Sequence, residues 1–413
     1  MRQRQGRHEK QRAGDERGEK IFLHDLNTIR PALLPRRAGG MFPLMARLTR
    51  RLQLLVVMIL VGGDMAAQGG ADAWRPQTVP LFGASYSPDI GLLLGVGVVH
   101  TRYGFRALPP STQLLAEAAY ATGVSTYRID VAGEFRRPLF PTILYVELRA
   151  SGLEFTRFYG VGNTTVGSQP DSAYRVRQTQ LLVAPRVAIP LTPRLRFTVG
   201  PLLKYAHTPS DPGTVLATTV PYYGAGDFGQ VGVRAGLELD TRDHTAAPAR
   251  GVHLSIVGQA YPAVWDAVHP FGSVSAEAST YLSAGDPPSA ALALRAGGAG
   301  VSGTVPFQEL VYVGGGTTVR GYAEQRFAGR RAAYGNVELR LLAGRLPFGD
   351  VGIFGLADVG RVWIPGESSD RWHAAAGGGL WLAWQHRRAN TLSIAAARSP
   401  ERTAIYVRIG FMF

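Results

Sequence analysis

Ile405-Tyr-Val-Arg-Ile-Gly-Phe-Met-Phe413 alternates without a break. Ile405, Val407, Ile409, Phe411 and Phe413 are apolar, and Tyr406, Arg408, Gly410 and Met412 fall between them. These nine residues of period two are enough for a tilted strand to cross the hydrocarbon layer, one side to lipid and the other to a lumen. A helix cannot use the pattern, because 180° steps scatter the apolar groups around a cylinder that advances about 100° per residue. An edge strand of a soluble sandwich would read the same way, so the remaining sequence has to choose.

The alternation recurs upstream. Val231, Val233, Ala235, Leu237 and Leu239 alternate with Gln230, Gly232, Arg234, Gly236, Glu238 and Asp240. Ile129, Val131 and Phe135 oppose Arg128, Asp130, Glu134 and Arg136, and Val337, Leu339 and Leu341 oppose Asn336, Glu338 and Arg340. The polar sides mix both charge signs with glycine, as a crowded wet lumen requires. This pattern predicts an all-β fold, a transmembrane antiparallel β-barrel of about sixteen strands. They are placed near 81–88, 90–101, 112–121, 124–136, 142–158, 174–189, 193–208, 230–242, 250–262, 270–283, 290–301, 334–345, 350–363, 373–386, 391–398 and 403–413. Long connections (159–173, 209–229, 263–269, 302–333, 364–372) fall on one side. Tight turns (Pro138 to Pro141, Pro190 to Pro193, Gly285 to Ser289, Leu346 to Gly349, His386 to Ala389) fall on the other, with both termini. Tyr86, Tyr103, Tyr159, Tyr261, Trp265, Trp363 and Trp372 lie near strand ends, where interfacial girdles form.

Near the other end, Arg47, Arg50 and Arg51 precede the apolar run Leu52 to Val61 and then Met65-Ala-Ala-Gln68. A charged region, a short apolar core and small residues predict a cleavable secretory signal peptide, cut after Ala67 or Ala73. Residues 1–40 read as a misassigned or disordered leader, with Met41 or Met45 as the start, 41–73 as the signal region and 74–413 as the barrel. Of the net charge of +14, residues 1–51 supply +8 (13 Lys+Arg against 5 Asp+Glu), leaving +6 for the rest. The basic balance therefore gives no support to a nucleic-acid partner. With no cysteine there is no disulfide, thiolate metal site or cysteine nucleophile. A mean hydropathy of zero is ordinary for a barrel.

Three segments and the terminal strand carry a family resemblance. Val313-Gly-Gly-Gly-Thr-Thr-Val-Arg-Gly-Tyr322 is similar to the Val-Arg-Gly-aromatic motif in the sixth extracellular loop of the BamA/TamA outer-membrane assembly family, also called the bacterial surface antigen family. Asp240-Thr-Arg-Asp243 with Pro248 and Arg250-Gly251 resembles its periplasmic-turn segment, and Phe158-Tyr-Gly-Val-Gly-Asn163 its Phe-Tyr-Gly-x-Gly-Asn signature. The aromatic finish resembles the last strand by which the assembly machinery reads such barrels, here Tyr406, Phe411 and Phe413. The resemblance spans roughly Pro80 to Phe413. It implies that Val319, Arg320, Gly321 and Tyr322 fold back into the lumen, where Arg320 meets the aspartate of a Phe-x-Asp-x-Gly segment. Leu356-Ala-Asp-Val-Gly360 fits with leucine in place of phenylalanine, and strand parity turns Asp358 inward. A guanidinium suits such a forked acceptor, and a wet lumen would keep the cost of losing it near ~1 kcal/mol.

The resemblance implies an outer-membrane location with periplasmic termini. It also implies membrane lipids, the assembly machinery during biogenesis and unfolded outer-membrane or secreted polypeptides as partners, and no cofactor, metal or catalytic residue. About a dozen residues separate signal and first strand, too few for a periplasmic POTRA domain. Gly224–Gly229 and Gly298–Gly303 match G-x-G-x-x-G but open no helix in a βαβ unit, so both read as glycine-rich loops. No H-E-x-x-H or G-x-S-x-G occurs. Three functions stay open: an insertase or translocation barrel, a pore or structural barrel, and, ranked last, a lipid-active barrel enzyme.

Overall fold

The computed structural model describes residues 74–104, 107–136, 141–218 and 222–413. The leader, the signal region and most of the turn expected at Pro138 to Pro141 lie outside the described residues. The strands in chain order are β1 (Gln77–Ser87), β2 (Gly91–Gly104), β3 (Ala107–Ala121), β4 (Thr126–Arg136), β5 (Ile143–Ser151), β6 (Thr179–Val183), β7 (Arg186–Pro190), β8 (Leu195–Thr208), β9 (Gly226–Asp240), β10 (Gly251–Tyr261), β11 (Phe271–Ala284), β12 (Ala290–Gly303), β13 (Val311–Val313), β14 (Phe327–Gly329), β15 (Arg331–Leu346), β16 (Gly349–Trp363), β17 (His373–Trp384), β18 (Thr391–Arg398) and β19 (Thr403–Ile409). β13 and β14 form a separate hairpin, and β6 and β7 are two halves of one wall strand. Sixteen antiparallel staves thus close into a barrel, each paired with its neighbour in sequence and the first meeting the last. Pairing between neighbouring staves satisfies the backbone within the wall, as a bilayer demands of any strand protein, everywhere but along the β1–β19 seam. Among the described residues no helix is long and apolar enough to cross a membrane.

Strand parity sorts the side chains. Leu94, Val96, Ile129, Val131, Leu148, Val337, Leu339 and Ile353 stand exposed on the outer face. Arg128, Asp130, Glu147, Asn336, Glu338, Arg340 and Asp358 are buried inside. Lumenal charges are matched: Asp130 takes Arg149 Nε at 2.6 Å and also pairs with Arg128. A charge on the outer face near mid-membrane would cost about 2–4 kcal/mol, so the alternation is enforced from the lipid side.

Several expectations need correction. The strand expected at 142–158 ends at Ser151, and the one at 174–189 begins at Thr179 and breaks at Ala184-Pro185, where proline has no N–H for the ladder. The two strands expected at 81–88 and 90–101 are present, fully registered and joined by a turn at Pro88-Asp89. Tyr159 and Tyr261 are buried, stacked on Tyr174 and Phe271, and so belong to no lipid girdle, whereas Trp265 and Trp372 are half exposed. Residues 298–303 lie within β12 rather than in a loop.

A further correction concerns the opening stretch. Ile405, Val407 and Ile409 face outward and Tyr406 and Arg408 inward, but the strand stops at Ile409. Gly410 takes φ +71°, and a Cβ there would lie 2.2 Å from Ala246 O. From that point the chain turns into the lumen. The Phe411 ring packs edge-on to Phe354 (5.4 Å) and Trp381 (6.2 Å), and Phe413 lies 6.3 Å from Tyr281. Phe411 and Phe413 are therefore not on the lipid face. Lumenal partners with a guanidinium and aromatic rings outcompete four more residues of strand.

Candidate functional site

The connection between β12 and β15, residues 304–330, is the sixth on the long-loop end. The hairpin β13–β14 draws its ends together, and 314–326 dips inside the wall. Gly314 starts the descent at φ +119°, where a Cβ would meet Ala323 O at 2.5 Å. At the bottom, Arg320 reaches Asp358 on β16: Nε to Oδ2 at 2.7 Å, Nη2 to Oδ1 at 2.7 Å and its own N–H to Oδ2 at 3.0 Å. Nη1 donates to Glu338 on β15. Asn336 Nδ2 bridges Asp358 Oδ1 (2.8 Å) and Thr318 O (2.6 Å). The Arg320 side chain is 2% exposed and those of Asp358 and Glu338 are 0%. This cluster is dry, which overturns the screened setting expected from sequence. One guanidinium between two carboxylates leaves a negative excess, which Arg340 offsets through Glu338 Oε2 at 2.7 and 3.0 Å.

The other motif residues tie the loop to the wall. Val319 is fully buried against Gly360, and Tyr322 packs edge-on to Phe327 and His373. Gly321 N–H donates to Tyr406 Oη on β19 at 3.0 Å, and Gly321 O accepts from Ser399 at 2.8 Å. Phe158-Tyr-Gly-Val-Gly-Asn163 lies across the top. Gly162 N–H donates to Ala328 O at 2.8 Å. Buried Asn163 donates to Arg371 O at 2.8 Å and accepts from Val362 N–H at 3.2 Å. The carboxylate of Glu367 caps the Asn163 and Thr164 N–H groups at 2.8 and 3.1 Å. Loops from three parts of the chain are thereby knit into one lid.

At the short-turn end one turn is tied to the wall and to the C-terminal segment. In the turn 241–250, Asp240 grips Arg242 through two bonds of 2.6 and 2.9 Å, while Asp243 accepts from Ala249 N–H (3.0 Å) and Arg388 Nη1 (2.7 Å). The turn buries Ala247, Pro248 and Ala249, and Pro248 O accepts from Arg340 at 3.0 Å. Gly251, at φ +104°, lets the chain pass 2.4 Å (as a virtual Cβ) from Thr241 O. Phe411 N–H donates to Ala246 O at 3.2 Å.

Among the described residues the wall has one weak line. β1 pairs with β2 at eleven positions and β18 with β19 at seven, but β1 and β19 share the single described pair Tyr86↔Val407. Sequence reasoning did not single out Glu338, Arg340 or Glu367. The first two share the parity of Asn336 on β15, a signal available in the alternation; Glu367 sits in a loop with no periodic signal.

The sequence profile of the Omp85 superfamily domain matches residues 116–394. The chain belongs to the Omp85 superfamily. Among solved structures, this Omp85 chain is similar to BamA from Haemophilus ducreyi lacking POTRA domains 1–3, at 14% identity and TM-score 0.58, over 93% of this chain and 82% of that one. It is also similar to CdiB from Escherichia coli, at 14% identity and TM-score 0.55, over 89% and 69%. At such identity the likeness concerns the fold alone. No curated protein sequence matches the chain. Omp85 barrels are outer-membrane insertases and transporters, the class to which this architecture corresponds.

Proposed function

We propose that this Omp85 barrel inserts or translocates polypeptide at the outer membrane, using the β1–β19 seam as its working edge. The observation that carries the reading is the single seam pair at Tyr86↔Val407, which leaves most of the β1 edge from Gln77 to Ser85 without a β19 partner. An unpaired strand edge is a template for an incoming strand: its backbone groups supply hydrogen bonds while side-chain parity sets the register. Both termini then lie on the periplasmic side, from which unfolded outer-membrane or secreted polypeptides arrive, and lipid surrounds the outer face. Arg320 and Asp358 hold loop six inside, keeping the lumen shut while the seam is available. No residue is assigned a catalytic role. Depletion in the native host followed by outer-membrane proteomics tests the reading. Broad loss of other barrels or of one secreted class supports it, and an unchanged proteome contradicts it.

A further inference from the structure

We infer that Arg340 is a positioning residue that couples loop six to the seam by holding the segment 410–413 inside the barrel. Arg340 stands on β15 between two structures. On one side it shares Glu338 with Arg320, so the loop-six tip and Arg340 are bound to the same carboxylate. On the other side, Arg340 Nη2 donates to Phe413 O at 2.8 Å, and its guanidinium lies 3.9 Å from the Phe411 ring centre and 5.7 Å from that of Phe413. Cation–π contacts strengthen with desolvation, and here a buried guanidinium meets two half-buried rings.

The tail so held has a second place to go. Carrying the antiparallel register on from Tyr86↔Val407 sets Ile409 beside Ala84, Phe411 beside Phe82 and Phe413 beside Pro80. In that arrangement the period-two pattern of 405–413 would continue unbroken, with Phe411 outward beside the exposed Phe82. The segment thus carries the sequence of a strand and the contacts of a plug. Gly410 can serve both, since glycine accepts positive φ as readily as an extended backbone. Arg340 biases this two-state element toward the plug, and loop six biases Arg340 through Glu338. A ligand or client that lifts loop six would release the tail and lengthen β19, changing the seam from one pair toward several. The functional consequence rests on the seam reading above, but the coupling itself is a matter of tail position.

The absence of cysteine permits a clean test. In a Leu81→Cys/Met412→Cys background, oxidation reports the seam-paired tail, because the extended register sets these two positions opposite each other. The yield should be low in the otherwise native barrel in liposomes. Arg340→Ala should raise it by roughly three- to tenfold, as a population shift of a two-state element requires, with Arg340→Lys between. Arg320→Lys, which touches no tail residue, should raise it in the same direction. Heat-modifiable migration confirms that each barrel is folded. If the yield stays at the native level in both Arg340→Ala and Arg320→Lys, the coupling is wrong. If only Arg340→Ala raises it, the latch stands alone and the link to loop six is overturned. A positive result with no effect of depletion on other barrels would separate the latch from the insertase reading.

Discussion

Arg320 makes four hydrogen bonds to two carboxylates with almost no exposure. Removing one partner of such a pair strands a charge in a dry site, at about 3–5 kcal/mol rather than the ~1 kcal/mol of a screened pair. Arg320→Ala and Asp358→Ala should each lower the unfolding free energy of the detergent-solubilised barrel by that larger amount. The double mutant should cost less than the sum; strict additivity in the cycle would show that the two side chains do not interact. At the opposite end, His244 Nδ1 accepts from Ala246 N–H at 3.3 Å. Burial first, then the nearby Arg388, pull its imidazole down from 6.5 to about 4. The folded state thus favours the neutral ring, and its contribution is complete above about 6.5 and lost as pH falls toward 4. Protection factors for amide exchange in 244–249 should fall between pH 7.5 and pH 5, and His244→Gln should remove that step. An identical profile in the variant would contradict the assignment.

Among the elements, the lid formed by three loops is separable from the wall. Asn163→Ala leaves Arg371 O and Val362 N–H without their buried partner, at about 1–3 kcal/mol. The cost should appear as protease cleavage in 159–173 and 364–372 with the barrel still heat-modifiable; protected loops would mean that Glu367 alone holds them. Strands were legible wherever lipid and lumen impose opposite chemistry on alternate residues, as in Ile129 to Phe135 and Val337 to Leu341. Legibility failed where that contrast is lost. Phe155 and Phe158 are apolar like a strand continuing from β5, yet their partners are Phe307, Tyr312 and Tyr222 in other loops. Phe411 and Phe413 fit the strand period as well as Ile405 does, and only the facing Arg340, Tyr281 and Trp381, remote in sequence, explain their inward turn.

For the whole molecule, a wall of sixteen staves carries loop six folded inside it and is weak along one line. Asp358 could be read as inward from its own strand, because parity is a local property. The dryness of its site could not, since it depends on loop six, β15 and β16 meeting at one point. The weak line was equally hidden: it reflects how few residues of β1 and β19 overlap, which neither strand alone records. The central claim is that this line works on polypeptide, and locking it is the direct test. Tyr86→Cys/Val407→Cys would staple the one described seam pair in a chain with no other cysteine. Folding of an unfolded outer-membrane barrel into liposomes should be accelerated by the reduced protein, slowed to the protein-free rate by the oxidised one, and restored by reductant. Equal folding rates with the seam locked and unlocked would contradict the account.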